Sequence, residues 1–231
     1  MNATAIIQVY YREREPNLLP ILRSIFQVQA IERVIIWQNN VEYRQPPELW
    51  RDLCALNRQI PIDGIVSSFD TLIGQYAAAF LASTSLIYCQ NDDLILTPAS
   101  ITAMLTRASA CTQMIGIQGR ILDRHAAMPY GAGKGVASGP ADVLIGRAWA
   151  AVKRALIAPM TRCLAENLNP DRGEDMFFSW QNAEVLANLE WSDIPENRIG
   201  LCHEHGHHEE RERWARYLVA LGDVYESTTI R

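Results

Sequence analysis

Three clusters in this chain have the residue types and spacing to do chemistry. The first is Asn91-Asp92-Asp93, which follows the apolar run 85–89 (SLIYC). Adjacent carboxylates repel unless a positive charge lies between them, so a divalent cation, which prefers oxygen ligands, is a natural partner. A helix cap ahead of Pro98 is the plain alternative, since Asp and Asn are ordinary there. The second cluster is Glu174-Asp175, heading the apolar stretch Met176-Phe177-Phe178. Such a pair can move a proton, or can do no more than satisfy the start of a helix. The third gathers four of the five histidines, His203, His205, His207 and His208, beside Cys202 and Glu204. Imidazole is a common metal ligand, but this order is not the HExxH arrangement that sets two ligands on one helical face. A solvated turn accounts for it as well.

Other stretches carry weaker instructions. Residues 129–146 (PYGAGKGVASGPADVLIG) hold five glycines without strong periodicity. They match neither the phosphate-loop pattern GxxxxGK[ST] nor GxGxxG, so they read as a loop and hairpin. The five cysteines (Cys54, Cys89, Cys111, Cys163, Cys202) are odd in number and scattered, with no CxxC pair. That spacing predicts reduced thiols, mostly buried as small apolar groups, in a cytoplasmic protein.

The elements that must hold these clusters follow from apolar periodicity. Residues 4–10, 32–38, 61–67 and 85–89 read as strands, with helices over 16–28, 46–56 and 71–83 between them. Pro16 and the Pro46-Pro47 pair suit first helical turns. Strands alternating with helices predict an α/β fold, a mostly parallel central sheet with helices on both faces. The carboxyl ends of such strands form the ligand crevice, and Asn91-Asp92-Asp93 stands at one of them. Further on, a helix over 99–109, a strand over 114–122, a recrossing over 142–152, an apolar helix from Glu174 and a final helix over 209–221 complete the reading. The charged opening of that last helix (EERERW) reads as solvated surface.

Composition bounds the whole. The 231 residues are 48% hydrophobic and 20% charged, with a net charge of −5. A chain of this kind is neither disordered nor membrane-spanning, since no apolar run approaches the roughly 20 residues a bilayer requires. The first residues read as a strand rather than a signal peptide. Charge is uneven, however. From Arg107 to Arg162 there are eight basic residues (Arg107, Arg120, Arg124, Lys134, Arg147, Lys153, Arg154, Arg162) and two acidic ones (Asp123, Asp142). That stretch either meets an anionic partner or is a surface balanced by acids nearby in space. With two lysines and an acidic pI, nucleic acid is a less favoured partner.

Taken in order, these landmarks resemble a GT-A-fold glycosyltransferase, most nearly the C-terminal domain of the exostosin family. Tyr10-Tyr11-Arg12 stands where that family opens its donor site after the first strand, and ERVIIWQNN is similar to its run before Trp-Asn-Asn. SLIYCQNDDL stands where its strand ends in a metal-binding Asp-x-Asp motif. DVLIGRAW is similar to its acceptor-side Val-Leu-Thr-Gly-Ala segment, and GEDMFFS to the Glu-Asp pair after it. The chain departs from the pattern with Asn91 at the first motif position and Gly74-Gln75-Tyr76 in place of Asn-Arg-Phe.

The resemblance implies one GT-A-type domain. A nucleotide-sugar-binding half would cover about 1–97 and an acceptor half about 98–208, with a C-terminal helix and tail over 209–231. It implies a hexosyltransferase that moves a sugar from a nucleotide-diphosphate donor to a hydroxyl acceptor, with Mn²⁺ or Mg²⁺ at the leaving phosphate. Asp93 would be the direct metal ligand, Asp92 a second ligand or ribose contact, and His203 or His205 a late ligand. Tyr11, Arg12, Arg14, Asn39, Asn40, Gln75 and Asn91 would line the donor. Asp175, with Glu174 beside it, would serve as general base or transition-state carboxylate. Arg120, Gly146 and Arg147 would face the acceptor, which the basic stretch leaves open to be anionic: a phosphorylated lipid, an acidic saccharide or modified DNA bases. Two other classes stand beside this reading. One is a nucleotidyltransferase, which usually carries a Gly-rich basic loop after its first strand, where this chain has YYREREPN; the other is a non-catalytic sugar- or nucleotide-binding module.

Overall fold

The computed structural model describes residues 1–10, 12–40, 47–57, 59–68, 71–170, 173–194 and 207–229. Strands β1 (Ala3–Val9), β2 (Ile31–Gln38), β3 (Ile62–Val66) and β4 (Leu86–Asn91) alternate with helices α1 (Glu15–Ile25), α2 (Pro47–Leu56) and α3 (Gly74–Leu81). Every residue of β1 is buried, as expected of an interior parallel strand covered on both sides. α1 carries Pro16 in its first turn and buries Leu18, Ile21, Leu22 and Ile25 at helical spacing. β5 (Leu94–Leu96) and α4 (Pro98–Ser109) follow. Thr97 caps α4 by accepting a hydrogen bond from the Ser100 N–H at 3.3 Å.

Beyond α4 the chain runs through short elements. These are β6 (Met114–Gly116), β7 (Gly119–Ile121), α5 (Pro129–Ala132), β8 (Lys134–Val136), β9 (Gly139–Ala141), β10 (Val143–Leu144) and β11 (Ala148–Val152). Then come α6 (Ile157–Ala165), α7 (Glu174–Ser179), β12 (Ala183–Val185), β13 (Trp191–Asp193) and α8 (His207–Thr229).

Eight strands form one sheet in the order β3-β2-β1-β4-β11-β6-β12-β9. Four of its seven pairings are parallel: β3 with β2, β2 with β1, β1 with β4, and β6 with β12. β11 enters antiparallel between β4 and β6. The protein is thus an α/β molecule with a large, mostly parallel central sheet flanked by helices. β1 sits between β2 and β4, so the winding direction of the sheet reverses beside it, and the strands diverge there into a crevice at their carboxyl ends. Smaller sheets, β10-β7-β8 and β13-β5, stand beside the main one.

The strand expected over 114–122 is broken. Gly116 and Gly119 lie so close to Leu144 and Val185 that no larger residue fits, and the chain steps from the main sheet into the small one between them. Gly139, at φ +93°, supplies the left-handed turn between β8 and β9.

One core lies on the sheet face covered by α1 and α4, built from residues such as Ile7, Leu22, Ile36, Tyr88 and Met104. The other lies on the opposite face under α3, α7 and α8, with Tyr76 stacked between Trp149 and Phe178 at centroid distances of 5.2 and 3.9 Å. Cys89 and Cys163 are buried as expected, Cys54 is exposed, and Cys202 lies outside the described residues. Among the described residues no helix is long and apolar enough to cross a membrane.

Candidate functional site

The crevice at the carboxyl ends of β1, β2 and β4 is lined by amides. Gln8 is in register with both Trp37 and Asn91 across the sheet. Strand alternation places these three, together with Asn39, on the face that α3 covers. Asn39 is 0% exposed; its Oδ1 accepts from Trp37 Nε1 at 3.2 Å, while its Nδ2 has no partner. Gln8 Nε2 and Asn91 Oδ1 are likewise buried and unmatched. Each such atom costs on the order of 1–3 kcal/mol unless something meets it, so two donors and one acceptor side by side are the mark of a surface shaped for a polar ligand.

Two carboxylates border this row. Asp92, 2% exposed, is anchored in the protein: Arg14 Nη1 donates to its Oδ1 at 2.8 Å, the Tyr10 N–H to its Oδ2 at 3.4 Å, and Asn17 Nδ2 to its backbone carbonyl at 2.7 Å. Asp93 is half-buried between the guanidiniums of Arg147, at 3.5 Å, and Arg14, at 3.9 Å. Its Oδ1 accepts no hydrogen bond. Arg147 is held in turn by Asp193 and lies over the Trp191 ring at 5.2 Å.

This geometry corrects several expectations. Both oxygens of Asp92, expected as a second metal ligand or ribose contact, are engaged within the protein, and Arg14, expected to line the donor, is one of its partners. No group of three or more His, Cys, Asp or Glu side chains stands together among the described residues. His203 and His205 lie outside the described residues, as does Tyr11, and of Arg12 only the backbone is described. Gln75 does not line the crevice: it is buried, with its Oε1 accepting from Trp149 Nε1 at 3.0 Å and from Cys89 Sγ at 3.3 Å. Asn40, half-buried, follows Asn39 at the mouth of the crevice.

Burial pushes the Asp92 carboxyl up to about 6, against the pull of Arg14. A folded-state pKa above the ordinary value of roughly 4 means that folding takes up a proton. The stability gained from that uptake is complete below about pH 4 and is lost as pH rises through 6. The urea midpoint should therefore fall between pH 4 and 7, by about 2 kcal/mol in stability. Asp92→Asn should flatten the profile over that window; an unchanged slope would show that Asp92 does not titrate there.

The acceptor-side residues prove to be a structural brace. Asp175, 1% exposed, has its Oδ2 bonded by the Gly146 N–H at 2.8 Å and by Arg211 Nη2 at 2.6 Å, and its Oδ1 by the Met176 N–H at 2.8 Å. A carboxylate so committed ties α7 to the β10–β11 turn and to α8, and does not stand ready to take a proton from a substrate. Glu174 is buried beside it and acts electrostatically on Tyr76 and Arg211. Arg120 donates to the Gly133 carbonyl at 2.8 Å and stacks over Tyr130 at 4.6 Å. The basic stretch is largely balanced in place: Arg107 pairs with Glu184, Arg124 with Asp142, Arg147 with Asp93 and Asp193, and Arg162 with Glu166.

Sequence reading missed Gln8 and Arg211. Gln8 is the one amide in β1, a strand otherwise apolar except for Thr4. Arg211 shares a helical face with the buried Trp214, Ala215 and Leu218, and a cation at such spacing implies a buried partner. Glu212, read as solvated, is buried and accepts from the Tyr130 N–H at 3.1 Å and from that of Gly131.

The sheet order and its flanking helices define an α/β fold with a mostly parallel central sheet. A solved structure that shares the fold is that of 4-diphosphocytidyl-2C-methyl-D-erythritol synthase from Anaerococcus prevotii, a nucleotidyltransferase. It has a TM-score of 0.57 and 12% identity, and the match covers 93% of this chain and 96% of that one. No family model matches, and no curated protein does. The expectation of a glycosyltransferase is corrected here: the solved structure that shares the fold is a nucleotidyltransferase, and nothing in the comparisons bears out the exostosin resemblance.

Proposed function

We propose that this protein is a nucleotide-dependent transferase that moves a nucleotidyl group from a nucleoside triphosphate to a small acceptor. The observation that carries this reading is the row of buried, unmatched amide atoms on Gln8, Asn39 and Asn91 beside Asp93, at the point where the sheet reverses direction. An acceptor oxygen would attack the α-phosphorus, the bond to the bridging α–β oxygen would break, and diphosphate would leave. Gln8 and Asn39 would bind the nucleoside through their free N–H donors, and Asn91 through its carbonyl oxygen. Asp93, whose Oδ1 accepts no hydrogen bond, would suit a Mg²⁺ ion that arrives on the triphosphate as part of the substrate, since Mg²⁺ is usually held by one or two carboxylates and substrate phosphates. Arg147, held by Asp193 and Trp191, would present a fixed positive charge to the departing diphosphate. The turn after β1 (YYREREPN) has no glycine. Side chains, rather than a cradle of backbone N–H groups, would therefore hold the phosphates.

Titration with the four ribonucleoside triphosphates in Mg²⁺ tests this. One of them at a hundred times its Kd should raise the unfolding temperature by about 5–10 °C. The same triphosphate should release diphosphate when phosphorylated polyols are supplied as acceptors. Absence of binding by all four triphosphates at 1 mM would refute the reading.

A further inference from the structure

A second cavity lies on the other face of the sheet. It has a volume of about 320 Å³ and is lined by Ile36 and Gln38 of β2, Trp50 of α2, and Ile62, Gly64, Ile65 and Val66 of β3. Strand register places Gln38 opposite Val66, and Ile36 opposite Gly64. Gln38 shares its side of β2 with Val34 and Ile36, whose side chains pack in the α1 and α4 core. Asn39, the next residue, belongs to the opposite side with Trp37. The sheet itself therefore separates this cavity from the amide row of the crevice.

Its lining is built. Gln38 is 2% exposed, and both ends of its amide, Nε2 and Oε1, are buried without a hydrogen-bond partner. A primary amide left unmatched at donor and acceptor alike is costly in an apolar surrounding, and either atom alone would be an exception among native proteins. Trp50 lies against the backbone of β3: a Cβ on Gly64 would overlap its six-membered ring. Glycine there lets a flat aromatic wall stand close to the sheet. The remaining lining is aliphatic.

We propose that this cavity is a second ligand site, separate from the crevice, for a planar molecule carrying a hydrogen-bond donor and acceptor side by side, namely the amide or amidine edge of a nucleobase. Gln38 presents the complementary acceptor and donor in one plane, the pairing by which side-chain amides read base edges. Trp50 supplies the π face, and the aliphatic residues enclose the ring. The volume falls at the lower end of small-molecule sites and suits a base or nucleoside. Among the described residues no cationic side chain lines it.

Calorimetry with adenosine, guanosine, cytidine and uridine, which carry no phosphate, decides the matter. At least one should bind with a stoichiometry of one and a Kd below 1 mM. Gln38→Met, which keeps the side-chain volume and removes both polar ends, should weaken that nucleoside at least tenfold. Trp50→Leu should weaken it about tenfold through lost stacking. Thermal melts establish that each variant is folded, and nucleoside-induced slowing of amide exchange in β2 and β3 gives a readout that needs no variant. The proposal fails if no nucleoside binds below 1 mM, if the bound nucleoside leaves amide exchange in β3 unchanged, or if both folded variants bind it as the parent does. Nucleoside binding through Gln38 without any triphosphate binding would leave this site standing while refuting the transferase reading.

Discussion

Arg211→Met should lower the unfolding temperature by about 6–20 °C. The Asp175 carboxylate is almost fully enclosed, and Arg211 is its charge partner at 2.6 Å. Breaking a buried ion pair from one side costs roughly 3–5 kcal/mol, because the other charge stays buried without compensation. For a chain of this size each kcal/mol is worth about 2–4 °C. The double variant Arg211→Met/Asp175→Asn should lose clearly less than the two single losses combined, since its members share one interaction. Calorimetric scans of the three variants check this. A loss below about 1 kcal/mol in Arg211→Met would mean that the brace among α7, α8 and the Gly146 turn is held by packing alone.

Asp93→Ala carries the largest expected effect on turnover. Its Oδ1 is buried yet accepts no hydrogen bond, and its ion-pair partner Arg147 keeps Asp193 when the carboxylate is removed. Stability should therefore change by no more than about 0.5 kcal/mol, the range of substitutions that leave no buried group stranded. Under the proposed function, kcat/KM for diphosphate release should fall about a hundredfold, the scale seen when one preorganised electrostatic contact is lost. Raising Mg²⁺ should recover part of the loss. Steady-state rates across a Mg²⁺ series provide the check, and unchanged turnover in the variant would remove Asp93 from the site.

The first half of the fold was legible because each element carries one dominant signal. β1, β2 and β4 are continuous apolar runs, and α1 has a proline at its start and leucines and isoleucines at helical spacing. Between residues 114 and 147 that legibility ends. β6 to β10 are two or three residues long, too short to show a period, and their pairing is set by partners distant in sequence. The crevice was legible in place but not in role. Asn91-Asp92-Asp93 marks the end of β4, yet the sequence gives no sign that Arg14, 78 residues earlier, occupies Asp92. Asp175 was misread for the same reason. A carboxylate at a helix start looks alike whether it faces substrate or an arginine from the last helix; only tertiary contacts separate the two.

The Asp175–Arg211 brace has a consequence for the order in which the chain matures. Its two members lie 36 residues apart, and the later one belongs to α8. During synthesis from the N-terminus, β1 to β4 and their helices emerge with their mutual contacts already encoded. The Asp175 region emerges with its carboxylate but without its counter-charge, so closing that pocket before residue 211 is made would bury a lone anion. The packing around α7 is thereby expected to set only when α8 arrives and to make α8 the latch of the molecule's assembly.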